Sequence, residues 1–157
     1  MHITLLHQYQ LILGAREALF NYCKTIKPDD LVQPLAAFNN ETINSMLIHS
    51  ANTYIGWLAN YSLQQTRSFF DVEIYKELSA VQQAFEQVNL AVNDFLHHYT
   101  DRIDVPVTFP KNNVPLTTTP LQLFTHIITH EFHHKGQILT MSRLLGYTPI
   151  DTDVIRT

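Results

Sequence analysis

Apolar positions recur at steps of three and four along most of the chain, and polar punctuation breaks them into four long stretches. The first covers about residues 4–26, where Leu5, Tyr9, Ile12, Leu13, Leu19, Phe20 and Cys23 share one helical face. Pro28 stops it, and Asp29-Asp30 open a loop. The second begins after Asn39-Asn40, read as caps, with Glu41 in its first turn. Ile43, Leu47, Tyr54, Trp57 and Leu58 form its apolar face, which runs out near Tyr61. The stretch from there to Asp71 is long for neighbouring antiparallel helices, and could carry the chain from one end of a bundle back to the other. The third stretch, about residues 72–99, carries a heptad seam: Leu78, Val81, Phe85, Val88, Val92, Phe95 and Tyr99. Residues 101–118 are extended and proline-punctuated, with residues 104–109 a candidate short strand or edge. The fourth opens with Thr119 as N-cap, Pro120 in the first position and Gln122 closing a capping box; it ends at Leu145 with Gly146 beyond. The pattern predicts an all-α fold, a four-helix bundle, in a single domain over residues 1–157.

Composition narrows the function classes. A chain of 157 residues, 45% hydrophobic, can bury a core without help from disulfides or metals. Four glycines leave no glycine-rich phosphate loop. Ten Lys and Arg against fourteen Asp and Glu give a net charge of -4, which lacks the basic footprint of a nucleic-acid partner. Cys23 is the single cysteine, so neither an internal disulfide nor a cysteine metal cluster can form. Met1-His2-Ile3-Thr4 does not open a signal peptide, and no apolar run reaches the ~18 residues of a membrane span. The expectation is a cytoplasmic protein without a membrane partner.

Nine histidines are the unusual count, and four of them fall within nine residues of the fourth helix. His130 and His134 stand at i and i+4, so their imidazoles project side by side and can occupy adjacent corners of one coordination sphere. Leu123, Ile127, Ile138, Met141 and Leu145 flank them, which predicts that the pair faces the bundle interior. Unpaired buried imidazoles are costly, so a metal or a hydrogen-bond network has to satisfy them. His126 and His133 form a second stripe, read as solvated or as supporting the first; His2, His7, His97 and His98 read as surface residues near helix ends. His130-Glu131-Phe132-His133-His134 also matches the zinc-protease string, in which Glu131 would be the general base. Gln137 and Thr140 replace the glycine and histidine of the extended protease motif, and no glycine-punctuated sheet precedes the helix.

Four features then agree in order: Asn44-Ser-Met-Leu-Ile-His49 with Trp57, the Thr119-Pro-Leu-Gln122 helix start, His130-Glu-Phe-His-His134-Lys-Gly-Gln-Ile138, and the tail Leu145-Gly-Tyr-Thr-Pro-Ile-Asp-Thr-Asp153. Together they resemble the DinB-like (YfiT-like) metalloenzymes, across essentially the whole chain. The resemblance implies a bundle of up-down-down-up order and a metal site of His49, His130 and His134. Lys135 stands where the family usually has arginine, keeping the charge without the planar fork. On its own helix, His49 shares a face with Ser45, Asn52, Thr53, Gly56 and Asn60, which is either exposed or the small-residue wall of a cavity.

The resemblance also implies a metal-dependent transferase or hydrolase acting on a small-molecule substrate, with a low-molecular-weight thiol as cosubstrate. Three protein nitrogens would leave positions open on a divalent metal, with Zn favoured and Ni or Fe also suited to imidazole. Glu131 is the candidate general base or supporting residue. The alternative is a non-enzymatic metal-binding stress-response protein. A second apolar stripe on the fourth helix, Leu121, Ile128, Phe132 and Leu139, needs a cover. A homodimer would supply it, as would residues 105–115 folded back.

Overall fold

The computed structural model describes residues 2–156, with side chains from residue 4. The elements run α1 (His2–Cys23), α2 (Pro28–Leu31), α3 (Ile43–Tyr54), a π-helical continuation (Ile55–Ser62), α4 (Leu78–His98), β1 (Val107–Lys111), β2 (Val114–Thr118) and α5 (Pro120–Leu144). The architecture is mostly helical, and the hairpin corrects the all-α expectation. The candidate strand at 104–109 begins at Val107 and pairs antiparallel with β2, Lys111 opposite Val114. Asn112 and Asn113 both take positive φ, at 51° and 65°, the backbone that a two-residue hairpin turn requires.

The long helices form where the apolar spacing placed them, and their ends move for identifiable reasons. α5 has the expected capping box, with Thr119 Oγ1 accepting from Gln122 N at 3.1 Å and Gln122 Oε1 from Thr119 N at 3.0 Å. Its far end closes as expected on Gly146 at φ 89°. α3, in contrast, is capped by Thr42 and Ser45 and not by the asparagines. Asn39 and Asn40 sit at φ 54° and 62° in the preceding turn, a conformation asparagine tolerates. α4 starts at Leu78, six residues late, because Asp71 closes a separate turn through its backbone oxygen and a side-chain bond to Glu73 N. α1 and α4 bury the expected faces, including Val81, Phe85, Val88, Val92 and Phe95.

The polar face of α3 proves to be a fastening. Asn60 exchanges two hydrogen bonds with the backbone of Arg67, and Asn52 two with Phe70, all at 2.8–2.9 Å. Asn44 donates to Tyr75 O. Successive partners at 67, 70 and 75 show that the connection runs back along α3 toward its start, as its length suggested. Gly56 completes the track: a Cβ there would stand 3.4 Å from the Phe69 ring. Around Asn52, Gly56 and Asn60 this face is the bed of the returning chain, while His49 on the same face stays exposed.

The hairpin lies over the π-helical end of α3, Phe109 stacking on Tyr61 at 6.3 Å. The second apolar stripe of α5 is partly covered within the chain. Within that stripe Ile128 is buried, and Leu121, Phe132 and Leu139 are half-buried against the core. The C-terminal tail runs close by. Lys135 Nζ donates to Thr152 O and sits 3.6 Å from the Phe132 ring centroid. Burial lowers the Lys135 pKa, and its ammonium is committed to the tail.

Asn52→Leu removes both bonds to Phe70 and should cost about 1–3 kcal/mol. The measurable outcome is faster proteolytic nicking within residues 63–77, with the far-ultraviolet helical signal kept.

Candidate metal centre

α3 and α5 pack against each other and bring three imidazoles together. His130 Nε2 lies 3.2 Å from His49 Nε2 and 2.9 Å from His134 Nε2. Three nitrogens about 2.0–2.1 Å from one tetrahedral ion would stand ~3.3 Å apart. His134 Nδ1 donates to Gln137 Oε1 at 2.6 Å, which leaves the lone pair on Nε2. No single proton can bridge all three nitrogens, whereas one cation can satisfy them together. Burial, and then its neighbouring histidines, pull the His130 pKa down to about 4; burial lowers that of His134. Both rings are neutral at pH 7, the form that ligates. This three-histidine group could hold a metal ion.

The pair faces the bundle interior only in part. The buried arc of α5 runs through Leu123, Phe124, Ile127, Glu131, His134, Lys135, Ile138 and Met141. His134 is thus buried as the apolar flanks suggested, His130 is half-buried at the margin of the arc, and His49 is exposed. The site is on the rim, open on the His49 side. His126 and His133 are exposed, as expected, and their rings stack on His130 at 5.7 and 6.4 Å. His7, His97 and His98 are exposed too, while the side chain of His2 lies outside the described residues.

Glu131 occupies the middle of the buried arc, where its contacts favour the supporting role over that of general base. Both carboxylate oxygens are taken by Arg16, with Nε at 2.7 Å and Nη2 at 2.8 Å, and Oε2 also accepts from Tyr54 Oη. Arg16 Nη1 donates onward to Tyr9 Oη at 3.2 Å and Asn89 Oδ1 at 2.9 Å. Burial, the largest single influence, would lower the Arg16 pKa, but Glu131 together with Tyr9 and Tyr54 outweighs it and holds the guanidinium well above its usual value. Burial raises the Tyr54 pKa well above normal, and the Glu131 charge adds to it. A carboxylate so engaged is an anchor, one residue from His130, with Tyr54 five residues from His49 on α3. Nothing in the helical periodicity announced Arg16. The available signal was a charged residue inside the apolar face of α1.

Cys23 is fully buried, and burial pushes its thiol up to about 12. It contributes no nucleophile at neutral pH.

Three histidines converging at an open rim make this a helical protein with a candidate metal site. The comparisons make that specific: the chain matches the DinB family over residues 1–157 and belongs to it. It is 24% identical over 141 residues to the uncharacterized protein YizA of Bacillus subtilis (strain 168), spanning 89% of this chain and 87% of that one. A crystal structure of a DinB-like protein from Bacillus cereus ATCC 10987 shares the fold, with a TM-score of 0.65, 17% identity, and 92% and 93% of the two chains covered.

Two outcomes check the site. His130→Ala and His134→Ala should abolish stoichiometric metal, and His49→Ala should weaken it strongly. Gln137→Leu should cost about 10–100-fold in affinity by freeing the His134 tautomer; calorimetric titration with Zn reads all four. Separately, Glu131→Ala leaves the Arg16 charge buried and unpaired, and should destabilise the fold by about 3–5 kcal/mol in denaturant unfolding.

Proposed function

We propose that this protein is a metal-dependent transferase or hydrolase acting on a small molecule, with a low-molecular-weight thiol as cosubstrate. The observation that carries the reading is the convergence of the His49, His130 and His134 Nε2 atoms at a rim open on one side. A divalent cation there, Zn first and Ni or Fe next, supplies Lewis acidity at positions the protein leaves free. The residues of the chain do the rest. Gln137 holds the His134 ring in its ligating tautomer. The Arg16–Glu131–Tyr54 anchor sets the spacing between α3 and α5. All three ligands come from one chain, so the reading requires no second subunit; the homodimer, a separate proposal, loses much of its motive where the stripe of α5 is already half covered. The same reading takes the long helices as an up-down-down-up bundle, supported by the connection that returns along α3.

The non-enzymatic alternative predicts a sealed metal, and the exposure of His49 speaks against sealing. No helix among the described residues is long and apolar enough to cross a membrane. The test is elemental analysis of the purified protein, followed by thiol-transfer and hydrolysis assays of the Zn-loaded form. The expected outcome is turnover that chelation and His130→Ala both abolish, while the helical signal survives chelation. Stoichiometric metal without turnover in either assay would favour the metal-binding alternative, and loss of the helical signal on chelation would make the site structural.

A further inference from the structure

The candidate ligands are not held alike. His134 has its ring fixed by Gln137, which accepts from Nδ1. His130 has no such partner: among the described residues its Nδ1 makes no hydrogen bond, and only its Nε2 has neighbours, the Nε2 atoms of His49 and His134. An imidazole turns readily about its Cβ–Cγ bond, and ligating histidines are usually oriented by a bond to the second ring nitrogen. What surrounds His130 instead is rings. His126, one turn earlier on α5, and His133, one turn later, stand near-parallel to it, with 28° and 30° between planes and 5.7 and 6.4 Å between centroids. His126 is exposed, and alone it would turn as readily as the ring it packs on. It is braced by Trp57, which stands edge-on to it at 5.0 Å. Trp57 is held in its turn. Lys111 Nζ on β1 covers its ring, 4.0 Å from the centroid, and Tyr61 packs against it at 5.8 Å while stacking on Phe109 of the same strand. A row of rings thus leads from the hairpin, through the π-helical segment, to a candidate metal ligand.

We infer that Trp57 and His126 are positioning residues of the metal centre: Trp57 fixes the His126 ring, and His126 fixes the His130 ring, so that Nε2 meets the ion without rearrangement. The inference rests on the reading of His49, His130 and His134 as a metal centre, and adds to it the residues that orient a ligand with no hydrogen bond of its own. His126 acts by its flat face. Neither of its ring nitrogens makes a hydrogen bond among the described residues, and it stands outside the group whose Nε2 atoms converge. The hairpin gains a role that a purely helical bundle could not supply, since Lys111 and Phe109 hold the far end of the row.

The test is Zn affinity, read by competition with a chromophoric chelator, in variants that keep the helical signal of the unaltered protein. His126→Ala should weaken binding about 2–10-fold, the worth of one ring contact. His126→Phe keeps a flat ring without a nitrogen and should restore the affinity to within about twofold. Trp57→Ala should weaken binding about as much as His126→Ala, and the double variant no further than His126→Ala alone, because the two act along one path. Trp57→Leu takes its place where the alanine variant loses the fold. The inference is overturned if His126→Ala binds Zn as the unaltered protein does, if His126→Phe is as weak as His126→Ala, which would make a nitrogen of His126 the active group, or if the two losses add. Any of these leaves the metal centre standing, because the unaltered protein still takes up Zn. An unaltered protein that takes up none overturns the metal reading and this inference with it.

Discussion

The rest of the molecule is arranged around a buried guanidinium. Arg16 is 4% exposed, and every N–H group it directs inward must find an acceptor, because an unpaired charge at that depth would cost about 3–5 kcal/mol. The acceptors come from several elements: Glu131 on α5, Asn89 on α4, and Tyr9 about two turns earlier on α1. Tyr54 on α3 closes the set by donating to Glu131. The guanidinium also packs against aromatic rings, 4.6 Å from the Phe85 centroid. Apolar contacts tolerate small slips between helices, but a two-pronged Arg–carboxylate pair does not. The pair therefore fixes the register of helices that hydrophobic burial alone would leave free to slide.

The consequence reaches the histidines through covalent neighbourhood. Glu131 follows His130 directly, and Tyr54 stands just over one turn beyond His49. Whatever holds Tyr54 to Glu131 holds His49 opposite His130. α5 thus divides its circumference between two duties. Its middle arc carries the charge that locks the fold, and beside it stand buried His134 and half-buried His130. The same string, His130-Glu131-x-x-His134, suggests a protease by its letters. Here the helix turns the glutamate into the core, and the partner waiting for it is an arginine.

Much of the fold was legible because helices are local objects. The heptad seam of α4 and the capping box of α5 are set by spacing within a few residues, and both hold. Errors gather where a residue's role depends on something distant in the chain. Asn52 and Asn60 look like solvent-facing polar residues until the returning segment lies down on them. Residues 55–62 read as ordinary α-helix, because the apolar pattern of Trp57 and Leu58 does not distinguish α from π winding. Asn112-Asn113 is a local hairpin-turn signal, and it carries the extended segment into a paired sheet.

The site divides along the same line. His130 and His134 could be paired from sequence because one helix holds both, and their mutual distance hardly depends on the rest of the protein. His49 could not be joined to them by periodicity; only the resemblance supplied it, since its approach depends on how α3 meets α5. Depth was misjudged for a related reason. Counting apolar flanks on a wheel locates a stripe but not its centre, and the centre of the buried arc is a charged residue that an apolar count ignores. With Glu131 counted, the buried arc extends past Ile138 to Phe124, with His134 inside it and His130 at its margin. The ionic anchor thus occupies the middle of the interior arc, and the imidazoles beside it run from buried His134 through half-buried His130 to exposed His49, where the site meets solvent and small molecules.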